Sequence, residues 1–204
     1  MSTLLIEMQY LGTVSYYQKL LSHPRVLIEA HENFEKSTYR NRCCIHSPEG
    51  KLRLSIPLEG GRGQRQLYSE IKIGYDVDWQ KNHWNSLVSC YRNSPYFEYY
   101  EERFFPFYAQ RFEKLFDFNR QLMDLTLELL EVKPQIAFTE SYEKHHEEKV
   151  EDCRSEILPS KVSLDFPVKY RQVFEERTGF IPDLSIVDLL FSKGPHAAEL
   201  LRAD

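Results

Sequence analysis

The N-terminal part of the chain contains the pattern that most constrains the fold. Two short apolar runs, Thr3–Glu7 and Val26–Ala30, flank a segment of helical character, Val14–Ser22. Strand, loop, helix and strand within ~30 residues are typical of a βαβ unit, because parallel neighbours need a long crossover connection. The sequence therefore predicts an α/β fold with a mainly parallel central sheet and helices around it.

Polar residues follow both predicted strands. Gln9 and Tyr10 come after the first strand, and His31, Glu32 and Asn33 come after the second. In parallel sheets, ligands bind beyond the carboxyl ends of the strands. We therefore expect a ligand site at this edge of the sheet.

A β-hairpin is predicted after the βαβ unit. The alternating runs Arg42–His46 and Leu52–Pro57 are joined by Ser47–Gly50, whose Pro-Glu-Gly sequence favours a turn. We interpret residues 36–72 as a basic hairpin and loop inserted in the domain, and residues 141–170 as an irregular charged connection. Three helical patterns and a last strand lie between them: Trp79–Tyr91, Tyr96–Gln110, Phe118–Glu131 and Gln135–Thr139.

Length and composition predict a single domain over residues 1–204. The chain has 42% hydrophobic and 28% charged residues, as soluble globular proteins do. It has no long apolar segment and no basic region before a hydrophobic run, so we expect neither a membrane span nor secretion. Four cysteines without C-x-x-C spacing predict free thiols in a reducing compartment, and hence a cytoplasmic protein.

Charge is distributed unevenly along the chain. Residues 36–72 contain eight Lys and Arg residues against three acidic residues, although the whole chain has a net charge of −5. Proteins that bind nucleic acid usually have a basic domain, so the pattern argues against nucleic acid as a partner. It favours a local site for a small anionic ligand. Whether the chain forms a homodimer stays open.

A metal site and a phosphate-binding loop are both disfavoured. His145 and His146 are neighbours that do not converge on a helix, and H-E-x-x-H is absent. Gly60–Gln64 is rich in glycine but lacks the G-x-x-x-x-G-K pattern. We expect no metal and no other cofactor.

The segment Tyr39–Arg42 is the densest set of hydrogen-bond donors in the chain. Guanidinium groups can hold phosphate or carboxylate through two bonds at once. If the segment is extended, Arg40 and Arg42 point to one face, and Tyr39 and Asn41 to the other. The functional interpretation is an anion site. A solvated basic turn is an equally good alternative.

His83 is the histidine with the most organised surroundings. It lies on the predicted helix Trp79–Tyr91, at four-residue spacing with Leu87 and Tyr91. The functional interpretation is a general base or a phosphate ligand. The commoner alternative is a histidine at the edge of the core that a single hydrogen bond satisfies.

Together these segments resemble the WbqC-like protein family. The resemblance covers nearly the whole chain, in order and at similar spacing. It departs from the family at Glu7–Tyr10, where many relatives have a His-Gln-Pro loop, and at the C-terminal end, where a longer glycine-and-tyrosine segment is expected. The segments that carry it are Glu7–Tyr10, Tyr16–Tyr17, Ile28–Phe34, Thr38–Arg42, Leu54–Pro57, Trp79–Trp84, Tyr91–Tyr100, Phe116–Asn119, Leu184–Phe191 and Gly194–Pro195.

The resemblance implies a bacterial cytosolic protein of surface-polysaccharide biosynthesis, in particular of the O-antigen of lipopolysaccharide. It implies a transferase that modifies a nucleotide-linked amino sugar by acyl or aminoacyl transfer. A non-catalytic binding module or assembly factor for the same biosynthesis is the alternative. Whether the chain is an enzyme therefore stays open at this point.

The resemblance and the residues together predict a site. Arg40 and Arg42 would hold the phosphates of a nucleotide sugar, with Lys36 or Arg65 assisting. His83 would be the base, with Tyr91 and Glu98 near it, and Gln9, Tyr10 and Asn41 would orient the reacting groups. The catalytic candidates are thus His83, Gln9 and Glu98, and the ligand-binding candidates are Tyr10, Tyr39, Arg40, Asn41, Arg42 and Tyr91.

Overall fold

Parallel strands form the central sheet of the computed structural model, which describes residues 3–60, 66–146, 149–161 and 168–202. The predicted α/β fold, with surrounding helices and a separate hairpin, is confirmed. The strands in chain order are β1 (Thr3–Glu7), β2 (Arg25–Glu29), β3 (Arg42–Ser47), β4 (Gly50–Ser55), β5 (Gln135–Phe138) and β6 (Val150–Asp152).

The sheet has the order β5-β2-β1-β6, and every neighbouring pair is parallel. The central strand β1 has protein on both faces, so Leu4, Leu5 and Ile6 are all fully buried. This explains why β1 is a continuous apolar run rather than an alternating one. The helix between β1 and β2 makes the predicted crossover.

Helices cover the sheet and carry most of the buried aromatic residues. The predicted helix over Trp79–Tyr91 has the predicted bounds. Tyr16, Tyr17 and Tyr91 are buried, whereas Tyr99 is 75% exposed. The helices are α1 (Val14–Ser22), α2 (Trp79–Tyr91), α3 (Phe97–Ala109), α4 (Leu115–Leu129), α5 (Glu175–Thr178), α6 (Ile186–Lys193) and α7 (Ala197–Arg202). None of the helices in the described ranges is long and apolar enough to cross a membrane.

The first helix, α1, is capped by residues from both ends of the chain. The side chain of Thr13 accepts a hydrogen bond from the backbone N–H of Tyr16. Asp183, which precedes α6, accepts bonds from the backbone N–H and the hydroxyl of Ser15, both at 2.9 Å. These bonds satisfy N–H groups that the first turn of a helix leaves free, and they join the C-terminal segment to the βαβ unit.

The antiparallel hairpin β3–β4 lies where the sequence predicts it. Its Cys43, Ile45 and Leu54 are buried in the core. In contrast, residues 36–41 before it form turns and bends rather than an extended strand. The condition for Arg40 and Arg42 to share a face is therefore not met, and the two side chains have different surroundings.

Part of the charged stretch 141–170 belongs to the sheet, which corrects the prediction of an irregular connection there. Val150–Asp152 forms β6 and pairs in parallel with β1. Glu151 and Asp152 are exposed, so an edge position lets their charges remain in water while the backbone pairs. Local composition predicts a loop here, and pairing with a buried strand overrides it.

Candidate functional site

Two buried carboxylates lie side by side at the carboxyl edge of the sheet. Glu7 ends β1 and Glu29 ends β2, and the two residues are partners in the parallel register. Their side chains are 1% and 0% exposed. Neighbouring strands are about 4.8 Å apart, so these like charges are close together. Such a pair needs compensating donors, and each carboxylate obtains them differently.

Glu29 is neutralised by a cation. Its Oε2 accepts a bond from Nη1 of Arg154 at 2.9 Å. Its Oε1 accepts bonds from the N–H of His31 and the hydroxyl of Thr139, both at 2.8 Å. Arg154 also holds Asp152 through two bonds. Glu29 is therefore fully engaged, and it ties the ends of three strands together.

Glu7 is held only by neutral donors. Its Oε1 accepts a bond from the amide Nε2 of Gln9, and its Oε2 accepts one from the backbone N–H of Ser155, both at 2.9 Å. In the described part of the chain, no salt bridge includes Glu7. Glu7 thus differs from Glu29 and Glu32, each of which is paired with an arginine.

Arg40 is fully buried and engages Glu32 rather than solvent. Its Nε and Nη2 donate to the two carboxylate oxygens of Glu32, both at 2.7 Å. Burial by itself lowers the pKa of Arg40, but the hydrogen bonds and the charge of Glu32 outweigh it, so the pKa of Arg40 is raised. Arg40 is therefore paired with an acid inside the protein and does not lie in a solvated turn.

Three buried polar atoms of this edge have no hydrogen-bond partner among the described residues. They are Oε1 of Gln9, the hydroxyl of Tyr16 and Nη1 of Arg40. Burial raises the pKa of Tyr16, and the charges of Glu7 and Arg40 act on it in opposite directions, which places the phenol near both. Buried polar groups are normally paired, so these three atoms have unused hydrogen-bonding capacity, although Nη1 of Arg40 also lies 3.8 Å from Oε2 of Glu35.

The edge carries an excess of negative charge. Two guanidinium groups, Arg40 and Arg154, face more carboxylates than they can neutralise. Such a site favours an amine over a phosphate group. We call this group of residues the edge cluster: Glu7, Gln9, Tyr16, Glu29, Glu32, Arg40, Asp152, Arg154 and Ser155.

Arg42, two residues from Arg40, lies on the hairpin. It opens β3 and is partly exposed. Burial and the nearby charge of Arg53 both lower the pKa of Arg42. Tyr39 packs against Cys44 and Leu184 in a small apolar cluster beside the hairpin. The predicted anion segment is thus divided between the edge cluster and the hairpin.

Asn41 lies between these two regions. Its Nδ2 donates to the carbonyl of Ile56 at 2.9 Å, while its Oδ1 is buried without a partner among the described residues. This amide therefore fixes the start of the hairpin and keeps one free acceptor. Of the two residues proposed to assist the arginines, Lys36 is exposed, and Arg65 lies outside the described residues.

His83 and Tyr10 are in the core. The hydroxyl of Tyr10 lies 3.0 Å from Nδ1 of His83 and 3.0 Å from the hydroxyl of Tyr108. The indole of Trp79 packs edge-on against the imidazole. Burial lowers the pKa of His83 to about 4, and a hydrogen bond with the backbone of Ser55 opposes this only in part. The imidazole is therefore neutral at pH 7 and has the environment of a core histidine.

Tyr91 and Glu98, the other predicted site residues, belong neither to the edge cluster nor to the pair of Tyr10 and His83. Tyr91 donates from its hydroxyl to Oδ1 of Asp188 at 2.6 Å and accepts a bond from the N–H of His46. Glu98 is exposed in the first turn of α3. Of the predicted site residues, the structure therefore brings Gln9 and Arg40 together, and it places the remainder on the hairpin, in the core or on the surface.

Comparison with known proteins now identifies the family. The model of the WbqC-like protein family matches residues 8–159. The chain belongs to this family. An uncharacterised protein of Mycobacterium tuberculosis is 23% identical over 97% of this chain and 96% of its own length. No solved structure matches.

The region matched by the WbqC-like family contains most of the edge cluster. Gln9, Glu29, Arg40 and Arg154 lie inside it, and Glu7 directly precedes it. The hairpin lies inside it as well. Where the chain is described, no group of three or more His, Cys, Asp or Glu side chains is arranged to hold a metal ion.

Sequence reasoning did not identify Glu7, Glu29, Arg154 and Ser155 as site residues. A signal for the first two exists, because Leu4-Leu5-Ile6-Glu7 and Val26-Leu27-Ile28-Glu29 repeat one pattern: an apolar run that ends in a glutamate. Two such strands in a parallel sheet place their glutamates at one edge. Arg154 and Ser155 have no comparable signal, since they lie in a generally charged stretch.

Proposed function

We propose that this WbqC-like protein is a transferase of bacterial surface-polysaccharide biosynthesis, acting in the cytoplasm on a nucleotide-linked amino sugar. The observation that carries the proposal is the edge cluster: among the described residues Glu7 is in no salt bridge, and Oε1 of Gln9 and Nη1 of Arg40 have no hydrogen-bond partner. It occupies the edge at which parallel sheets bind ligands. Family membership supports the substrate class.

The reaction proposed is acyl or aminoacyl transfer to the sugar amine. The amine nitrogen attacks the acyl carbonyl carbon, a C–N bond forms, and the bond to the donor's leaving group breaks. Glu7 takes up the proton that the amine loses, and Oε1 of Gln9 accepts a hydrogen bond from the amine and orients it. Nη1 of Arg40 donates to the carbonyl oxygen as negative charge develops on it.

The edge cluster is closed in this structure. The N–H of Ser155 bonds to Glu7, and its hydroxyl donates to Glu35 at 2.7 Å. Ser155 has a positive φ of 58°, which a serine adopts only when its surroundings hold it there. Substrate entry therefore requires the segment around Ser155 to move away from Glu7.

A non-catalytic binding module is the second candidate. One specific observation favours it: Arg40 and His83, the two residues with the most obvious chemistry, are both engaged inside the protein. In that case the edge cluster would recognise an amine without reacting with it. The transferase requires catalysis by Glu7, and the binding module does not, so a test of Glu7 distinguishes the two candidate functions.

The test compares wild type, Glu7→Gln and the control Glu102→Gln, whose carboxylate is exposed on α3. Each is given nucleotide-linked amino sugars with acyl and aminoacyl donors, and amide product is measured by mass spectrometry. Glutamine can keep the bond from Ser155, so the fold should be retained. We expect Glu7→Gln to bind the sugar nucleotide but to lose about 100-fold or more in turnover.

Equal turnover in wild type and Glu7→Gln would overturn the proposed mechanism. Binding without turnover in wild type, across the whole panel of donors, would instead establish the binding module. Reduced turnover in Glu102→Gln would show that loss of any acidic side chain has this effect, and would remove the support for Glu7.

A further inference from the structure

One face of the β3–β4 hairpin gathers three cations. Residues paired across an antiparallel hairpin point to the same face, and diagonal neighbours on that face have Cα atoms roughly 7–8 Å apart. The opposite face packs into the core through Cys43, Ile45 and Leu54. The cationic face consists of the pairs Arg42 with Ser55, Cys44 with Arg53, and His46 with Lys51. We call Arg42, Lys51 and Arg53 the basic face.

The basic face is not neutralised by the described part of the chain. Lys72 and Arg103, by comparison, each lie within 4 Å of a glutamate. In the described ranges, no salt bridge involves a cation of the basic face. Among the described acids, the charge of Asp183 reaches Lys51, and both carboxylate oxygens of Asp183 accept bonds from Ser15. Glu175 acts on His46, the cross-strand partner of Lys51. The face therefore keeps an excess of positive charge.

The guanidinium of Arg42 is in an electrostatically unfavourable environment. Its guanidinium is partly buried, and Nε has no hydrogen-bond partner among the described residues. Arg53 adds repulsion between like charges. Taking part of a guanidinium out of water without pairing it costs free energy, and no described residue supplies the missing bond to Nε. A bound anion would supply the missing partner.

We propose that the basic face binds the phosphate groups of the sugar-nucleotide substrate. The inference rests on the proposed function for the source of the phosphates, but the chemistry needs only a compact polyanion. Arg42 and Arg53 can donate paired hydrogen bonds to phosphate oxygens, and Lys51 adds a third charge. Oδ1 of Asn41, next to Arg42, is buried without a partner among the described residues, and it would accept a bond from a ribose or sugar hydroxyl once the turn around it opens.

This assignment separates the two ends of the substrate. The diphosphate lies on the positive hairpin, and the amine enters the negative edge cluster. The apolar cluster of Tyr39, Cys44 and Leu184, with Ile157 packed against it, joins the two regions. The carbonyl of Ile157 is 3.5 Å from the Gln9 amide nitrogen. Opposite charges at the two regions would therefore fix the direction in which the substrate binds.

The test is calorimetric titration with inorganic pyrophosphate at low ionic strength. The proteins are wild type, Lys51→Gln, Arg53→Gln and the control Arg92→Gln, which removes one exposed cation from the end of α2. We expect the affinity to fall about tenfold in each of Lys51→Gln and Arg53→Gln, the effect of one charged hydrogen bond. Arg92→Gln should bind pyrophosphate as wild type does.

Thermal unfolding without ligand supplies a second readout. Arg53→Gln removes a repulsive charge, so its melting temperature should equal or exceed that of wild type. Absence of pyrophosphate binding in wild type would overturn the inference, as would equal affinity in wild type and Arg53→Gln. An equal loss of affinity in Arg92→Gln would also overturn it, because attraction by overall charge would then explain the binding.

The experiments distinguish failure of the basic-face proposal from failure of the proposed transferase function. Glu7→Gln should bind pyrophosphate with wild-type affinity, since Glu7 belongs to the edge cluster and not to the basic face. Pyrophosphate binding without any transferase activity would support the anion site on the basic face and refute the proposed transferase function. Transferase activity with unchanged KM in Lys51→Gln and Arg53→Gln would refute phosphate binding by the basic face and support the transferase function.

Discussion

Asp188 should make the stability of the protein fall as the pH rises from acid to neutral. Its side chain, in the first turn of α6, is fully buried and accepts bonds from the hydroxyls of Tyr91 at 2.6 Å and Tyr170 at 2.7 Å. In the described residues, no cation forms a salt bridge with it. Burial raises the pKa of Asp188 to about 6, and the two tyrosines oppose this only in part.

The sign follows from the two pKa values of Asp188. Its ordinary pKa of 3.8 applies to the unfolded chain, and the folded pKa is about 6, so the folded protein binds the proton more tightly. The contribution to stability is fully present below the unfolded pKa and is lost as the pH rises through the folded pKa. A difference of about two pKa units corresponds to about 3 kcal/mol, of which roughly 2 kcal/mol is lost between pH 4 and pH 7.

The assay is urea denaturation of wild type and Asp188→Asn at several pH values between 4 and 7. The free energy of unfolding of wild type minus that of the variant should decrease by roughly 2 kcal/mol over this range. Taking the difference cancels other groups, such as Glu151, whose pKa is lowered to about 2 by bonds with His23 and Lys19 and whose effect has the opposite sign. Asp76→Asn, at an exposed position, should keep the pH dependence of wild type.

Only the change with pH of this difference in free energy of unfolding reports on the ionisation of Asp188. The two tyrosines donate to different oxygens of Asp188, and asparagine replaces one of these oxygens by an NH2 donor. The variant therefore loses stability at every pH, and its absolute stability carries no information about ionisation. A difference that stays flat between pH 4 and pH 7 would refute the reasoning. A difference that increases with pH would show that Asp188 is stabilised as the carboxylate.

Two further predictions concern residues that sequence reasoning assigned to the site. Arg40→Met breaks the bond to Glu32 and leaves a buried carboxylate unpaired, so it should lower the free energy of unfolding by about 3–5 kcal/mol in urea denaturation. Adding Glu32→Gln should recover part of this loss. A loss below about 1 kcal/mol would contradict the buried pair. His83→Asn removes the bond to Tyr10 and the packing against Trp79, and should cost about 1–3 kcal/mol. Unchanged stability together with a selective loss of turnover would instead make His83 catalytic.

The elements that sequence reasoning located correctly are those whose signal is local. The runs at β1 and β2 and the alternating pattern of the hairpin each fall within a few residues. Helix α2 has its predicted bounds because a clear apolar stripe lies between two polar boundaries. In contrast, β6 has a charged sequence and is a strand only because it pairs with β1, a contact across nearly 150 residues.

The sequence predicted a ligand site beyond β1 and β2 but not the contacts within it. Gln9 and Glu32 were among the residues expected at this edge, whereas Arg40 was expected in the separate donor segment Tyr39–Arg42. The pairing of Arg40 with Glu32 depends on the turns over residues 36–41, which bring a guanidinium back over the sheet edge. A short-range pattern cannot predict such a pairing, because many acids could neutralise one arginine.

Sequence alone determined the parallel sheet, the hairpin and the family, because each depends on periodicity or motifs along the chain. Tertiary structure alone decided how the charges are used. Glu29 is paired with Arg154 and Glu7 with neutral donors, while Nε of Arg42 has no partner among the described residues. The physical reason is that electrostatic energy depends on burial and on distances between side chains, and both are set only when distant segments pack together.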